Sequence, residues 1–167
     1  MRKVVINAGP LIALSAAGCL DVLEKLYKEV LVPEEVFEEV ASSGAGRAGA
    51  LDVQQASYLK RCTHPGSVEL LLVHELGPGE AAVIALAKAE SAEMVILDEK
   101  KARRIATHVY GLKVKGSAGV LIQAKKAGHL RAIAPCIEKM QSHGYHLGKK
   151  LLQRIYEEAK ESPTDPT

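Results

Sequence analysis

The stretch VVINAGPLIAL, Val4 to Leu14, decides how the chain is read. An apolar, β-branched run meets Asn7, then Ala-Gly-Pro, then a second apolar run of helical character. That pattern puts Asn7 at the carboxyl end of a buried strand, where open α/β sheets bind ligands. An amide stands there, although a hard cation at such a place would call for a carboxylate.

Working outward, Pro10 suits the first turn of a helix from Pro10 to Ala17, because a first-turn proline gives up no helical hydrogen bond, and Gly18 ends it. Leu20, Leu23, Leu26 and Tyr27 share one face of a helix from Leu20 to Tyr27, and Val30 to Val32 reads as a short strand stopped by Pro33. Pro33-Glu34-Glu35 opens a helix with acids in its first turn and Val36, Phe37 and Val40 facing inward. SSGAGRAGA, Ser42 to Ala50, reads as a mobile loop. A helix near Leu51 to Leu59, a strand from Val68 to Val73 and a helix from Gly79 to Ala89, introduced by LGPGE, come next. Met94 to Leu97 is a buried strand closing on Asp98. A helix from Lys100 to Val109, a strand at Lys113 to Lys115 and a turn at Gly116 to Gly119 follow. Helices Val120 to Lys126, Ile133 to Gln141 and Lys149 to Lys160 end the pattern. Strands alternating with helices predict an α/β fold with a parallel sheet covered on both faces. The expectation is one domain over residues 1–161, with SPTDPT (162–167) as a frayed tail.

Bulk properties narrow the function. A chain of 167 residues with 47% hydrophobic content supports one sizeable core. One Phe, no Trp and five Tyr leave few platforms on which bases could stack. Cys19, Cys62 and Cys136 are odd in number, widely spaced and free of C-x-x-C pairing, which argues against a disulfide framework and a thiolate zinc site. A cytoplasmic protein is expected, with no membrane partner, since the apolar start is broken by Asn7 and Pro10. The net charge of +2 is unevenly spread. Residues up to Leu97 include 8 basic and 13 acidic side chains, and those from Asp98 onward 14 basic and 7 acidic. The second part can therefore present a positive surface beside an acidic site, or simply solvated helix faces.

Three polar residues stand where an α/β sheet gathers its ligands: Asn7 after the first strand, Glu80 in the first turn of its helix, and Asp98 after the fourth strand with Glu99 behind it. Oxygen donors converging from distant parts of the chain suit Mg²⁺ or Mn²⁺. Such an ion polarises a phosphodiester and lowers the pKa of a bound water, which points to a nuclease. Each residue also has a plainer role. Glu80 faces a helix dipole, Asp98 caps the helix that follows it, and Asn7 holds a tight turn. In DEKKARRIATH, Lys100, Arg104 and His108 follow one another at i, i+4 spacing, and Arg103 falls on a neighbouring face. Arg103 or Arg104 is a candidate for a substrate phosphate, the alternative being surface solvation. His143 and His146 lie across Gly144 and do not form a zinc pattern. A phosphate-binding module of another kind lacks support, because the chain has neither a G-x-G-x-x-G nor a P-loop pattern.

In this order, VINAGPLIALSAAG, VLVPEEVFEEV, LGPGEAAVIALA, ILDEKKARRIA and KGSAGVLIQAKKAG resemble the PIN-domain family, over roughly Lys3 to Ala159, and within it a prokaryotic branch of PIN-like proteins. The resemblance implies a three-layer α/β/α domain with a central parallel sheet of four to five strands and a Mg²⁺- or Mn²⁺-dependent ribonuclease site. Many relatives are toxins of toxin-antitoxin pairs and form homodimers. The implied partners are therefore RNA, an antitoxin protein and a second copy of the chain. Carried over, Asp98 matches the acid after the fourth strand and Glu80 the helical acid. Asn7 takes the place of the first aspartate, and Ser117 matches a small hydroxyl residue in a G-[ST]-x-G turn.

The chain departs from that pattern at Asn7, at Gly9, where a small hydroxyl residue is usual, and downstream of Asp98, where the stretch is basic and only Glu99 can stand in for a fourth acid. At an effective dielectric of ~20 and ~4 Å, one unit charge pair is worth roughly 4 kcal/mol before desolvation, so a neutral amide weakens the site. Two functions follow from the same residues. One is an endoribonuclease with Asp98, Glu80 and Asn7 as catalytic residues, Glu99 joining them on the metal, and Ser117, Arg103 and Arg104 on the substrate. The other is a PIN-like domain with a weakened or silent site that serves RNA binding or protein interaction.

Overall fold

The computed structural model describes residues 2–43, 49–64 and 66–163. Its centre is a five-stranded sheet of β1 (Arg2–Ile6), β2 (Tyr27–Pro33), β3 (Leu59–Cys62), β4 (Met94–Ile96) and β5 (Lys113–Lys115). The order is β3-β2-β1-β4-β5 and every neighbouring pair is parallel. Val4, Val5 and Ile6 on β1 are all fully buried, although successive side chains point to opposite faces of a sheet. Both faces are therefore covered, as a parallel sheet with helical crossovers requires.

The covering helices are α1 (Ala8–Ala16) and α2 (Val22–Leu26) before β2, α3 (Glu34–Ser43) and α4 (Ala50–Gln55) before β3, and α5 (Leu70–Glu75) and α6 (Pro78–Ala89) before β4. Next come α7 (Lys100–His108) before β5, then α8 (Ser117–Lys126), α9 (Ala134–Ser142) and α10 (Lys149–Ala159). Helix α6 packs on β1, β2, β4 and α3, while α8 packs on α2, α1 and α10. No helix among the described residues is long and apolar enough to cross a membrane.

From β1 the chain steps outward through β2 to β3, then returns past β1 to start β4. The strand order thus reverses between β1 and β4, and the crevice at their carboxyl ends is where such sheets bind ligands. The Asn7 N–H donates to the Ile96 carbonyl (3.1 Å) at this point, so the residues just after β1 and β4 share one edge of the sheet.

Several expected elements change. Val68 to Val73 is not a strand: Leu70–Glu75 is helix α5, with Leu72 buried and Leu70, Leu71 and Val73 exposed. A uniform apolar run does not distinguish strand from helix, and the sheet edge it would occupy is already taken by β3. That strand begins at Leu59, the last residue of the expected helix Leu51 to Leu59, and the helix itself ends at Gln55. Its four residues, with Leu59 buried and Lys60 and Arg61 exposed, are too few for a clear period, and their charges suit an edge strand. They pair with β2 and its successor through Lys60 to Glu29 and Arg61 to Glu34. The expected helix Leu20 to Tyr27 shrinks to α2, because Tyr27 is already on β2. The turn at Gly116 to Gly119 is the start of α8. Of the expected loop Ser42 to Ala50, residues 44–48 lie outside the described residues. Ser42 and Ser43 belong to α3, and Ala50 starts α4.

Two of the cysteines lie much closer than their separation in the chain suggests. Cys19 and Cys136 are unbonded and buried, and packing of α1 against α9 brings their sulfurs to 2.7 Å. Spacing along the chain carries no information about such proximity.

Candidate active site

Asn7 is the N-cap of α1 in extended conformation, and its carbonyl accepts from Leu11 N–H (3.3 Å). Its side chain does not cap the helix. Instead Oδ1 is buried with no hydrogen-bond partner, in a residue only 7% exposed. An orphaned buried oxygen of this kind costs about 1–3 kcal/mol, so it marks a place where a donor or cation belongs.

Gly79 shows what surrounds that oxygen. A Cβ built on Gly79 would sit 2.6 Å from Glu39 Oε2 and 3.4 Å from Asn7 Oδ1. The missing side chain thus leaves room for the Glu39 carboxylate beside the amide oxygen at the start of α6. Glu80, next in the chain, accepts from Gly77 N–H through Oε2 (3.2 Å), so it does hold the start of α6. Burial pushes its carboxyl pKa up, and the negative charges of Glu99 and Glu39 push it further, against the lowering effect of the Gly77 bond.

Asp98 stands differently. Its Oδ1 accepts the Ser117 N–H (2.7 Å) and its Oδ2 the Ser117 hydroxyl. The Tyr145 hydroxyl lies near it, and burial, then the Asp98 charge, raise the Tyr145 pKa. Asp98 therefore does not cap the helix that follows it; it holds the N-terminus of α8, a helix from a distant part of the chain. The cap of α7 is Glu99, whose Oε2 accepts Ala102 N–H (2.7 Å). Arg103 donates to the Leu97 carbonyl (3.0 Å). A Cβ on Gly116 would lie 2.7 Å from its Nη1 and 2.9 Å from Asp98 Oδ1, so both side chains approach that glycine.

The expected residues fall along three depressions. An acidic cleft of about 510 Å³ is lined by Asn7, Glu35, Glu38, Glu39, Gly79 and Glu80. A second of about 740 Å³ holds Asp98, Arg103, Lys115, Tyr145 and Arg154, and a third of about 710 Å³ holds Glu99, Lys101, Arg104 and His108. Asn7 and Glu80 are thus brought together, and Glu99 is close enough to act on the Glu80 carboxyl. Asp98 and Arg103 line the neighbouring cleft, Arg104 lines the third, and Ser117 is fully buried beneath Asp98.

Sequence reasoning missed Glu35, Glu38, Glu39 and Tyr145. The three acids lie at i, i+3 and i+4 on α3, one helical face, and that spacing was the available signal. Glu35 Oε1 pairs with His64 Nε2 (2.9 Å), while Glu35 Oε2 is a second buried oxygen without a partner in this cleft. Nothing in the sequence around Gly144 pointed to Tyr145.

Among the described residues no three His, Cys, Asp or Glu side chains cluster tightly enough to hold a metal by themselves. The amide enlarges the set. Two unpartnered oxygens, the Glu39 carboxylate and a Glu80 carboxyl raised by neighbouring anions form a hard-oxygen lining that fits Mg²⁺ or Mn²⁺.

No curated protein matches this chain. The model of the family described as "DUF3368: PIN domain" matches residues 3–161, the span that contains every residue lining the three depressions. The chain belongs to this PIN-domain family.

Proposed function

We propose that this protein is a metal-dependent endoribonuclease whose ion is held in the acidic cleft by Asn7, Glu39 and Glu80, with Glu99 adding negative field from the rim. The observation that supports it best is the orphaned Asn7 Oδ1 beside the Glu39 carboxylate. Membership of a family of typically metal-dependent nucleases agrees with it. A bound Mg²⁺ or Mn²⁺ supplies Lewis acidity and a water of lowered pKa. Asp98, fixed by Ser117, and Arg103, held by the Leu97 carbonyl, line the neighbouring cleft. The basic side chains Lys100, Arg104 and Lys115 beside those clefts bind the phosphate backbone of single-stranded RNA.

The same reading includes a homodimer, supported by Leu70, Leu71, Val73 and Val109, large apolar side chains that are all exposed. A toxin partnered by an antitoxin remains the biological setting that the family suggests.

The second reading, a recognition domain without cleavage, is favoured by one observation: Asp98 is already engaged by Ser117, and position 7 carries an amide. One assay separates them. Labelled single-stranded RNA is incubated with native protein, Glu39→Gln and Asn7→Asp in Mn²⁺, with and without chelator. Cleavage that needs Mn²⁺ and Glu39 supports the nuclease. RNA retained but uncut by native protein and by Asn7→Asp overturns it in favour of recognition.

A further inference from the structure

Cys19 follows the C-terminus of α1. Gly18, at φ 68°, turns the chain there, and the Cys19 N–H closes the turn on the Leu14 carbonyl (2.9 Å). Cys136 is the third residue of α9, after Pro135. Both residues are buried, at 5% and 7% exposure, and their sulfurs are 2.7 Å apart. Unbonded carbon atoms settle about 3.5–4.0 Å apart, and bonded sulfurs lie at about 2.05 Å, so the pair is within about 0.7 Å of a covalent link. Lys139, one turn along α9, completes the group: its ammonium lies 3.9 Å from the place a Cβ on Gly18 would take.

We propose that Cys19 and Cys136 form a redox pair that closes to an intramolecular disulfide under a hydroperoxide. The thiolate of one cysteine attacks the peroxide oxygen, giving a sulfenic acid and releasing water. The second thiol then attacks that sulfur, an S–S bond forms, and a second water leaves. Two thiols lose two electrons and two protons, and one hydrogen peroxide becomes two waters. Cys136 is the better first nucleophile. The Cys19 contact and the Lys139 charge lower its pKa against the opposing effect of burial, whereas at Cys19 the same contact and burial both raise it.

The bond would join two helices that serve the candidate site without touching the chemistry. Helix α1 begins next to Asn7. Helix α9 leads to Tyr145, whose N–H returns to the Met140 carbonyl (3.0 Å) and whose hydroxyl lies near Asp98. Cys62, half-buried on β3, stands apart as an internal control.

The test is thiol titration in denaturant of the full chain before and after graded hydrogen peroxide, with peptide mass mapping. The expected result is a fall from three titratable thiols to one, a mass lower by about 2 Da, and a linked Cys19–Cys136 peptide that dithiothreitol releases. Cys62→Ser should still lose two thiols, and Cys136→Ala none. Should Cys136→Ala fold poorly, Cys19→Ser is to give the same absence. Three thiols remaining, a link through Cys62, or sulfinic acid on an unlinked Cys136 would each overturn the proposal. None of these outcomes bears on RNA cleavage, so the redox pair and the nuclease stand or fall separately.

Discussion

Asp98 accepts both the backbone N–H and the hydroxyl of Ser117, 19 residues further along the chain, so the acid after β4 anchors the first residue of α8. Ser117 is fully buried, and its loss leaves Asp98 Oδ2 without that donor. Ser117→Ala is expected to cost about 1–2 kcal/mol, and Asp98→Ala, which removes both bonds, about 2–3 kcal/mol. Urea unfolding checks both. An unchanged midpoint in Asp98→Ala would mean that the carboxylate has no anchoring role. Loss of cleavage in that variant therefore needs Ser117→Ala beside it before Asp98 is called catalytic.

Asn7→Asp reverses its sign with metal. Without an ion, a second buried anion beside Glu39 lowers stability; with Mn²⁺ it adds a charged ligand. The variant is expected to melt below native protein in chelator and to bind Mn²⁺ at least tenfold more tightly, as about 1.4 kcal/mol of the Coulomb gain suffices. Calorimetric titration with Mn²⁺ and melting curves in both conditions check this. Equal affinity for the two proteins would remove Asn7 from the ion site.

Gly79→Ala separates the site from the fold. The added Cβ meets Glu39 Oε2 at 2.6 Å, the end of a flexible side chain that can swing away, and alanine favours a helix by about 1 kcal/mol over glycine. The expected result is an unchanged or slightly raised melting point with Mn²⁺ affinity reduced about tenfold or more. Retained affinity would show that Glu39 is not a ligand.

Glu80 makes the site pH-dependent. Its carboxyl pKa is raised by burial first and by Glu99 and Glu39 next, so the ionised form is penalised in the folded state. The sign follows: the folded protein binds this proton more tightly than the unfolded chain. Its favourable contribution is complete below the unfolded pKa of about 4.3 and is lost as pH rises through the folded value. Glu80→Gln keeps an oxygen for the Gly77 N–H. It is expected to stabilise the metal-free protein at pH 7 and to lose that advantage below about pH 4. Melting in chelator across this range is the check, and a destabilised variant at pH 7 would refute the assignment.

Local sequence signals were enough for the α/β alternation, the buried strands β1 and β4, and the placement of Asn7 and Asp98 just beyond them. These follow from local period and from chain breakers such as Pro10 and Pro33, which act within a few residues. Glu80 at a helix start was legible too, because LGPGE is a local signal. That β3 rather than Val68 to Val73 takes the sheet edge emerges from the folded chain alone, since both segments are short and edge occupancy is a competition between them. Only packing sets the Glu39 carboxylate beside the Asn7 oxygen, gives Asp98 to Ser117, and brings Cys19 to Cys136. Periodicity tells which face of an element is buried; what that face meets depends on crossovers joining residues far apart in the chain.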